Sequence, residues 1–230
     1  MALVFAQTYA IMSEIIHSFS DVIERKMSSI SITKKLISHI KKLGRGALFS
    51  PKDLLDIAPR DLIDKTLSRL VGQGLIIRVT RGVYCYPKKH PVIGAISPPL
   101  DDIAKTIAKK LDQKLQISGA EAAHLFGIST QVPAKRVYYT DGLSRQIKVG
   151  NQVLQFKHAC PKKMAGAGEK AGAVLQAIRY LGKQTINDDT INMIAKQVDA
   201  KDQKSLRQIA SFAPDWSRPF LNKISSYEHK

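Results

Sequence analysis

The sequence predicts a helix-rich α+β fold in two domains, and two observations lead to that prediction. Through most of the chain, apolar residues recur at three- and four-residue spacing, as they do along one face of a helix. In two stretches, 75–86 and 136–157, the spacing shortens to two, which is typical of strands. The 230 residues are enough for two domains, each with its own core.

Three helices are predicted before the first strands. An apolar stripe indicates a helix at 31–43, ended by Gly44, because glycine is favoured just after a helix C-terminus. Ser50-Pro51 begins a second helix, with serine as the cap and proline in the first turn. A third helix follows Pro59 and carries its apolar side chains on one face.

The strands after the third helix form a hairpin. Residues 75–79 and 83–86 are rich in β-branched and aromatic side chains, and Thr80-Arg81-Gly82 supplies the turn between them. Three helices followed by a hairpin is the element order of a winged helix-turn-helix. We therefore predict such a domain at 28–92, preceded by a separate extension at 1–27 that is helical and amphipathic.

Charge indicates the class of partner. The chain has 36 Lys and Arg against 19 Asp and Glu, a formal charge of +17. The excess is concentrated in two blocks, with 13 cations against 4 anions at 28–92 and 10 against 2 at 135–183. Such blocks point to a polyanion, most often nucleic acid.

The winged helix is predicted to bind double-stranded DNA. Arg, Lys, Ser and Thr side chains reach base edges or phosphates from a recognition helix, and cations on the wing add phosphate contacts. A winged helix used for protein contacts remains the alternative. The predicted DNA-binding residues are Lys41, Lys42, Arg45, Arg60, Lys65, Thr66, Ser68, Arg69, Arg78, Thr80, Arg81, Lys88 and Lys89.

The C-terminal domain is predicted at 93–230. Prolines at 91, 98 and 99 mark a linker around its start, and its first element is expected near Leu100. Turn dipeptides at Asp141-Gly142 and Gly150-Asn151 predict an antiparallel meander of three strands. The predicted helices are 101–111, 118–126, 169–181, 188–198 and 202–212, with one more near Trp216 and Phe220.

Catalytic and cofactor signals are weak. The six histidines are scattered without metal spacing, and Cys160 near His158 is the one nucleophile-like neighbour, for which a non-catalytic role is predicted. The glycine-rich segment 166–172 lacks the pattern of a phosphate loop, so close helix packing is the better account. We predict no catalytic residue, no metal and no cofactor.

Location follows from cysteine usage and hydropathy. Cys85 and Cys160 are the only cysteines, and two residues do not make a disulfide framework, so a reducing cytoplasm is expected. The apolar segment 1–10 is too short to span a bilayer, and no other run is long enough. We predict no membrane partner.

Several motifs resemble those of AbiEi-type antitoxins of bacterial type IV toxin-antitoxin systems, especially a compact AbiEi-like subgroup. The resemblance covers about 30–216, and the segment before Met27 departs from the family pattern. The motifs are Gly44-Arg45-Gly46, Phe49-Ser50-Pro51-Lys52-Asp53-Leu54, Leu67-Ser68-Arg69-Leu70, Arg81-Gly82-Val83-Tyr84, His90-Pro91, Ser129-Thr130-Gln131-Val132-Pro133-Ala134-Lys135, Thr140-Asp141-Gly142-Leu143-Ser144-Arg145 and Ala177-Ile178-Arg179-Tyr180-Leu181-Gly182.

The resemblance implies a repressor of the protein's own operon that binds its promoter through the winged helix. It also implies a C-terminal domain that counteracts a cognate nucleotidyltransferase-like toxin. On that basis the partner surface is expected at Lys135, Arg136, Tyr138, Asp141, Ser144, Arg145 and Lys148.

Two alternatives remain open. One is a free-standing winged-helix transcriptional regulator without a toxin. The other is an RNA-binding protein, because cations and aromatic residues alternate along the second block. The residues in question are Arg136, Tyr138, Tyr139, Arg145, Lys148, Lys157, Lys162 and Lys163.

Overall fold

A computed structural model describes residues 31–91, 94–131 and 135–227. The predicted extension at 1–27 lies outside these residues. The chain divides between Pro98 and Pro99 into two compact units, termed here unit 1 and unit 2. This division falls six residues after the boundary predicted from the sequence.

The described residues of unit 1, 31–91 and 94–98, form two helices and two small sheets. Its elements are α1 (31–43), β1 (Leu48–Phe49), a 3₁₀ turn (Pro51–Leu54), α2 (Arg60–Gly72), β2 (Ile77–Thr80), β3 (Val83–Cys85), β4 (Lys88–His90) and β5 (Gly94–Ile96). The three-stranded sheet has the antiparallel order β1-β3-β2, and β4 pairs with β5.

The core of unit 1 lies between α1, α2 and this sheet. Leu36 and Ile40 of α1 are fully buried with Ile63 and Leu67 of α2, and Phe49 stacks on Tyr84 of β3. The apolar stripes predicted for both helices therefore face one core. Gly44 ends α1 with a φ of 88°, a conformation that costs glycine little.

Two predictions in this part of the chain are wrong. The second helix is a single 3₁₀ turn, closed by a capping box in which the Asp53 carboxylate accepts from the backbone N–H of Ser50 at 2.8 Å. It buries Pro51 and Leu54, and the residues that follow, 55–58, form turns and a bend instead of further helix. The predicted linker contains the β4–β5 hairpin.

Unit 2 places helices around a four-stranded sheet. Its elements are α3 (Leu100–Lys110), β6 (Leu115–Ile117), α4 (Gly119–Leu125), β7 (Arg136–Thr140), β8 (Arg145–Val149), β9 (Gln152–His158), α5 (Lys170–Leu181), α6 (Asp188–Ala195), α7 (Ala200–Ile209), two 3₁₀ turns (Ala210–Phe212 and Asp215–Ser217) and α8 (Arg218–Ser225).

The strand order is β6-β7-β9-β8, so the predicted meander is wrong. β8 and β9 form the expected hairpin, but β7 pairs with β9 in parallel, with Tyr138 opposite Phe156. β6, which the sequence analysis did not predict, pairs with β7 on its other edge. The loop after β7 therefore carries the chain past the position of β9 instead of making a tight hairpin.

Helix α5 is the centre of unit 2, and every residue from Ala171 to Ile178 is buried. Two glycines permit close packing around it. A Cβ on Gly172 would lie 2.1 Å from the carbonyl oxygen of Gly166, and one on Gly119 of α4 would lie 2.5 Å from Cβ of Tyr180. This geometry confirms the interpretation of the glycine-rich segment as a close-packing element.

The structure confirms the helix-rich α+β class. Most predicted helices and strands of unit 2 agree with the structure to within a few residues. In the part of the chain that the structure describes, no helix is long and apolar enough to cross a membrane.

Candidate nucleic-acid interface and partner surface

The outer face of α2 carries the central residues of the predicted DNA surface. Lys65, Ser68 and Arg69 are exposed, while Ile63 and Leu67 on the opposite side are fully buried. The buried side fixes the rotation of the helix, because turning it would expose the core. The three polar side chains are therefore presented to solvent together.

Arg60 begins α2 and differs from Arg69. Its Nε lies 2.8 Å from the Asp64 carboxylate, and both side chains are about half exposed. This pair partly neutralises the guanidinium at the start of the helix. Arg69 has no ion-pair partner among residues 31–91, so its charge is more available to a ligand.

Thr66 does not belong to the exposed face. It is only 5% exposed and faces the core between Ile63 and Leu70. The prediction that Thr66 contacts DNA is wrong, because a buried side chain cannot reach a groove without unpacking the helix.

The β2–β3 hairpin places its cations at and near its turn. Arg78 and Arg81 are exposed, and Thr80 is half-buried beside them. The pairing register shifts between Arg78 and Thr80, and Gly82 adopts a φ of 70° in the turn. Such an irregularity increases the local twist and changes the direction of the following side chains.

Arg45 and Lys88 flank the same sheet. The Arg45 guanidinium lies 5.4 Å from the centre of the Tyr86 ring, a cation–π contact that leaves the arginine exposed. The backbone N–H of Gly46 donates to the Tyr86 carbonyl at 2.7 Å and holds this loop against the strand. Lys88 is exposed on β4; the side chain of Lys89 lies outside the described residues.

Helix α1 contributes a row of lysines. Lys41 and Lys42 are exposed as predicted, and Lys34 and Lys35 are exposed two turns earlier on the same helix. The row lines shallow depressions of about 380 and 480 Å³. The sequence analysis did not select Lys34 and Lys35 as site residues, although their seven-residue spacing from Lys41 and Lys42 indicates a shared face.

In unit 2, the predicted partner surface separates into buried and exposed residues. Tyr138 is only 2% exposed, and its hydroxyl donates to the carboxylate of Asp101. The prediction that Tyr138 contacts a partner is therefore wrong. Arg136 is half-buried and forms an ion pair with the buried carboxylate of Glu121.

Several hydrogen bonds hold the loop between β7 and β8 in place, and three of the predicted residues take part in them. Asp141 accepts from the backbone N–H of Lys114 at 2.9 Å, Ser144 accepts from the N–H of His158 at 2.8 Å, and Arg145 donates to Gln113 at 2.8 Å. These three predicted residues therefore support the loop.

The loop presents one apolar side chain that the sequence analysis did not select. Leu143 at its tip is 80% exposed. Lys135 and Lys148, on either side in sequence, are also exposed. A signal was present in the sequence, because a leucine between turn residues has no strand or helix face on which to be buried.

The histidines and cysteines do not assemble a metal centre within the described residues. Cys85 is 1% exposed, and burial raises the pKa of its thiol, as expected for a cysteine that packs as a small apolar residue. Cys160 is exposed.

Comparisons with known proteins identify a family and a distant structural neighbour. No curated protein matches the chain. The crystal structure of RV2827C protein from Mycobacterium tuberculosis is similar with a TM-score of 0.42 and 11% identity, covering 85% of this chain and 78% of that chain. This similarity is too low to support an inference about function.

A family model described as a family of unknown function, DUF6088, matches residues 35–206. The match includes α2 and the β2–β3 hairpin of unit 1, and the sheet and α5 of unit 2. It covers well over half of the chain, and the protein therefore belongs to the DUF6088 family.

Proposed function

We propose that this protein is a DNA-binding antitoxin of the type IV class that represses its own operon. Unit 1 binds the promoter as a winged helix, and unit 2 counteracts a nucleotidyltransferase-like toxin. The protein acts in the cytoplasm, as a binding protein and without a cofactor.

The observation that carries the DNA-binding proposal is the position of α2 relative to the β2–β3 hairpin. The helix exposes Lys65, Ser68 and Arg69, and the hairpin that follows it exposes Arg78 and Arg81. The sheet order β1-β3-β2, with α1 before β1 and α2 before β2, is the order of a winged helix. In that interpretation α2 is the recognition helix and the hairpin is the wing.

Charge in the rest of unit 1 supports the same interpretation. The α1 lysines and Arg45 add exposed cations that suit phosphate contacts beside a groove. Phosphate contacts position a protein on the duplex, and base contacts specify the site. On this basis, Arg69, Lys65 and Ser68 read bases, while Lys41 and Lys42 contact the backbone.

The antitoxin part of the proposal depends on the AbiEi resemblance and on the β7–β8 loop. The resembling segment Thr140–Arg145 is the loop held by Asp141, Ser144 and Arg145, with Leu143 at its tip. A preorganised loop loses little entropy on binding, and a central apolar residue is typical of a protein contact. Leu143, Lys135 and Lys148 are therefore the residues of unit 2 that we assign to the toxin.

A free-standing regulator is the second candidate. It is favoured by the location of every proposed DNA contact in unit 1, which has its own core. Repression through unit 1 requires no toxin.

A reporter assay with the DNA upstream of the gene tests both parts. The wild-type protein and a Lys204→Gln control, which removes an exposed cation of α7, are expected to repress, while Lys65→Gln with Arg69→Ala is not. Co-expression with a neighbouring nucleotidyltransferase is expected to be harmless with the wild-type protein and harmful with Leu143→Ser, which should still repress. Equal repression by the wild-type protein and the α2 variant would contradict the DNA-binding proposal.

A further inference from the structure

A pocket in unit 2 has a composition that the proposed function does not explain. It has a volume of about 520 Å³ and lies where the segment after β9 meets α5, the two 3₁₀ turns and the start of α8. The pocket is shallow and open to solvent, and its volume is in the range of sites for small ligands. The pocket is lined by Cys160, Lys162, Lys163, Arg179, Ser211, Phe212, Ala213, Pro214, Asp215 and Arg218.

Arg179 is the most constrained side chain of the pocket. Its Nη2 donates to the backbone carbonyls of Phe212 at 2.7 Å and of Lys162 at 3.2 Å, so the guanidinium links two walls. A guanidinium has five N–H donors, and within 94–131 and 135–227 no other hydrogen bond or carboxylate engages the remaining ones. Burial lowers the pKa of Arg179.

Other cations surround this arginine. Lys162 is exposed at the rim, and the Lys163 ammonium lies 3.8 Å from the centre of the Tyr139 ring. Arg218 forms an ion pair with Asp215 at 3.0 Å. Four cations with one carboxylate leave the lining with an excess of three positive charges. Like charges at this density repel one another, and an anion in the pocket would relieve that repulsion.

Part of the lining is apolar. Phe212 is 46% exposed, which is high for an aromatic side chain, and Ala213 and Pro214 continue the same wall. An exposed aromatic ring beside cations is the arrangement on which nucleobases stack while their phosphates are neutralised. Inorganic anions would use the cations and leave this wall uncovered.

We infer that this pocket binds the phosphate and base of a nucleotide, with Arg179 and Lys162 at the phosphate and Phe212 against the base. The nucleotide is either free or the end of a single-stranded RNA, since both present the same chemistry. The site lies wholly in unit 2 and is separate from the proposed DNA surface of unit 1.

Isothermal titration of the full chain with four probes tests this inference. The probes are AMP, adenosine, inorganic phosphate and a 5′-phosphorylated single-stranded hexa-adenylate RNA. We expect AMP and the RNA to bind more tightly than adenosine or phosphate alone, because only they offer both a phosphate to the cations and a base to Phe212. Equal affinity for AMP and the RNA assigns the site to a mononucleotide; tighter binding of the RNA assigns it to a strand end.

Variants at exposed positions keep the test independent of folding. Lys162→Gln is expected to weaken AMP binding about tenfold, the loss of one charge-assisted contact. Phe212→Ala should weaken AMP but leave phosphate unchanged, and the charge-matched control Lys204→Gln should change neither. The inference is overturned if AMP binds no better than adenosine, or if Lys204→Gln weakens binding as much as Lys162→Gln.

Discussion

Single side chains of α2 determine how strongly unit 1 binds DNA in this account. Arg60 already shares its charge with Asp64 at 2.8 Å, whereas Arg69 has no such partner among residues 31–91. A phosphate or guanine that binds Arg60 must compete with a carboxylate on the same helix. The two arginines therefore make different contributions despite their similar exposure.

Replacing Arg69 by alanine is expected to weaken binding to the upstream DNA by about 1–3 kcal/mol if Arg69 reads a base. Arg60→Ala should cost less, because Arg60 already shares its charge with Asp64 and binds a phosphate only in competition with that carboxylate. Fluorescence anisotropy measures both affinities, and thermal unfolding checks that neither variant loses stability. Arg207→Ala, an exposed arginine of α7, is the charge-matched control. Equal affinities for wild type and Arg69→Ala would remove Arg69 from the reading face.

Tyr138→Phe is expected to destabilise the protein by about 1 kcal/mol, because a buried tyrosine loses the hydrogen bond of its hydroxyl to Asp101. Burial and this hydrogen bond both raise the pKa of the Tyr138 hydroxyl, so it donates at neutral pH. Urea denaturation measures the change, with Tyr180→Phe as the exposed control. A loss of toxin neutralisation without any loss of stability would instead return Tyr138 to the partner surface.

Sequence periodicity locates apolar side chains better than it sorts polar ones. The period of α2 places Thr66 on the inner face with Ile63, Leu67 and Leu70, and its selection as a DNA candidate followed the residue type against that period. The prediction that Tyr138 contacts a partner was wrong because its polar hydroxyl is bonded inside the protein. The acceptor, Asp101, lies 37 residues earlier in the sequence. Which polar groups are satisfied internally depends on contacts that are distant in sequence.

The close packing of helix α5 against its neighbours depends on small residues. Gly172→Ala places a methyl group 2.1 Å from the Gly166 carbonyl oxygen and 2.6 Å from Oε1 of Gln116, so backbone must move. We expect a destabilisation of about 1–3 kcal/mol, measured by urea unfolding. The control is Gly72→Ala at the end of α2, where no atom lies within 4 Å of the new Cβ. That change should be neutral or stabilise; destabilisation by Gly72→Ala and tolerance of Gly172→Ala would reverse the argument.

The N-cap residue of helix α7 makes a pH-dependent contribution to the stability of the folded protein. The Asp199 carboxylate accepts from the backbone N–H of Asp202 at 2.7 Å, and this hydrogen bond lowers the pKa of Asp199. A lowered pKa in the folded state adds stability above the unfolded pKa, and that stability is lost as the pH falls through the folded value. Asparagine also caps helices but does not titrate in this range.

We therefore expect wild type to lose stability relative to Asp199→Asn when the pH is lowered from 7 to below about 4, the ordinary value for aspartate. Thermal unfolding of both proteins at several pH values measures the difference. If the difference in stability between wild type and Asp199→Asn stays constant with pH, Asp199 does not titrate as inferred.

Helices and strands were predictable from the sequence where they were long enough to show a regular spacing of apolar residues. The order in which the strands pair was not predictable. The thirteen residues of α2 and twelve of α5 give clear periods, whereas the three residues of β6 give none. Alternation identified β7, β8 and β9 but says nothing about which edges pair. The Asp141-Gly142 dipeptide suggested a hairpin, and the loop is instead held to α3–β6 and β9 by Asp141 and Ser144.

At the scale of the whole molecule, the two cationic blocks of the sequence fall in different units. The block at 28–92 is almost wholly described within unit 1, and the block at 135–183 belongs to unit 2. Composition alone therefore predicted two basic regions. It did not predict the pocket, because Lys162, Arg179 and Phe212 come from three separate segments.

The most direct test of the account is fluorescence anisotropy with the duplex upstream of the protein's own gene, a scrambled duplex and a structured RNA across a salt series. Every phosphate contact weakens with salt, so only a preference that persists near 150 mM reports base reading. We predict that, at that salt concentration, the protein binds the upstream duplex at least about a thousandfold more tightly than the scrambled duplex. Equal affinity for the two duplexes and the RNA, with the same salt dependence, would contradict the account. Unit 1 would then bind nucleic acid through its basic charge alone.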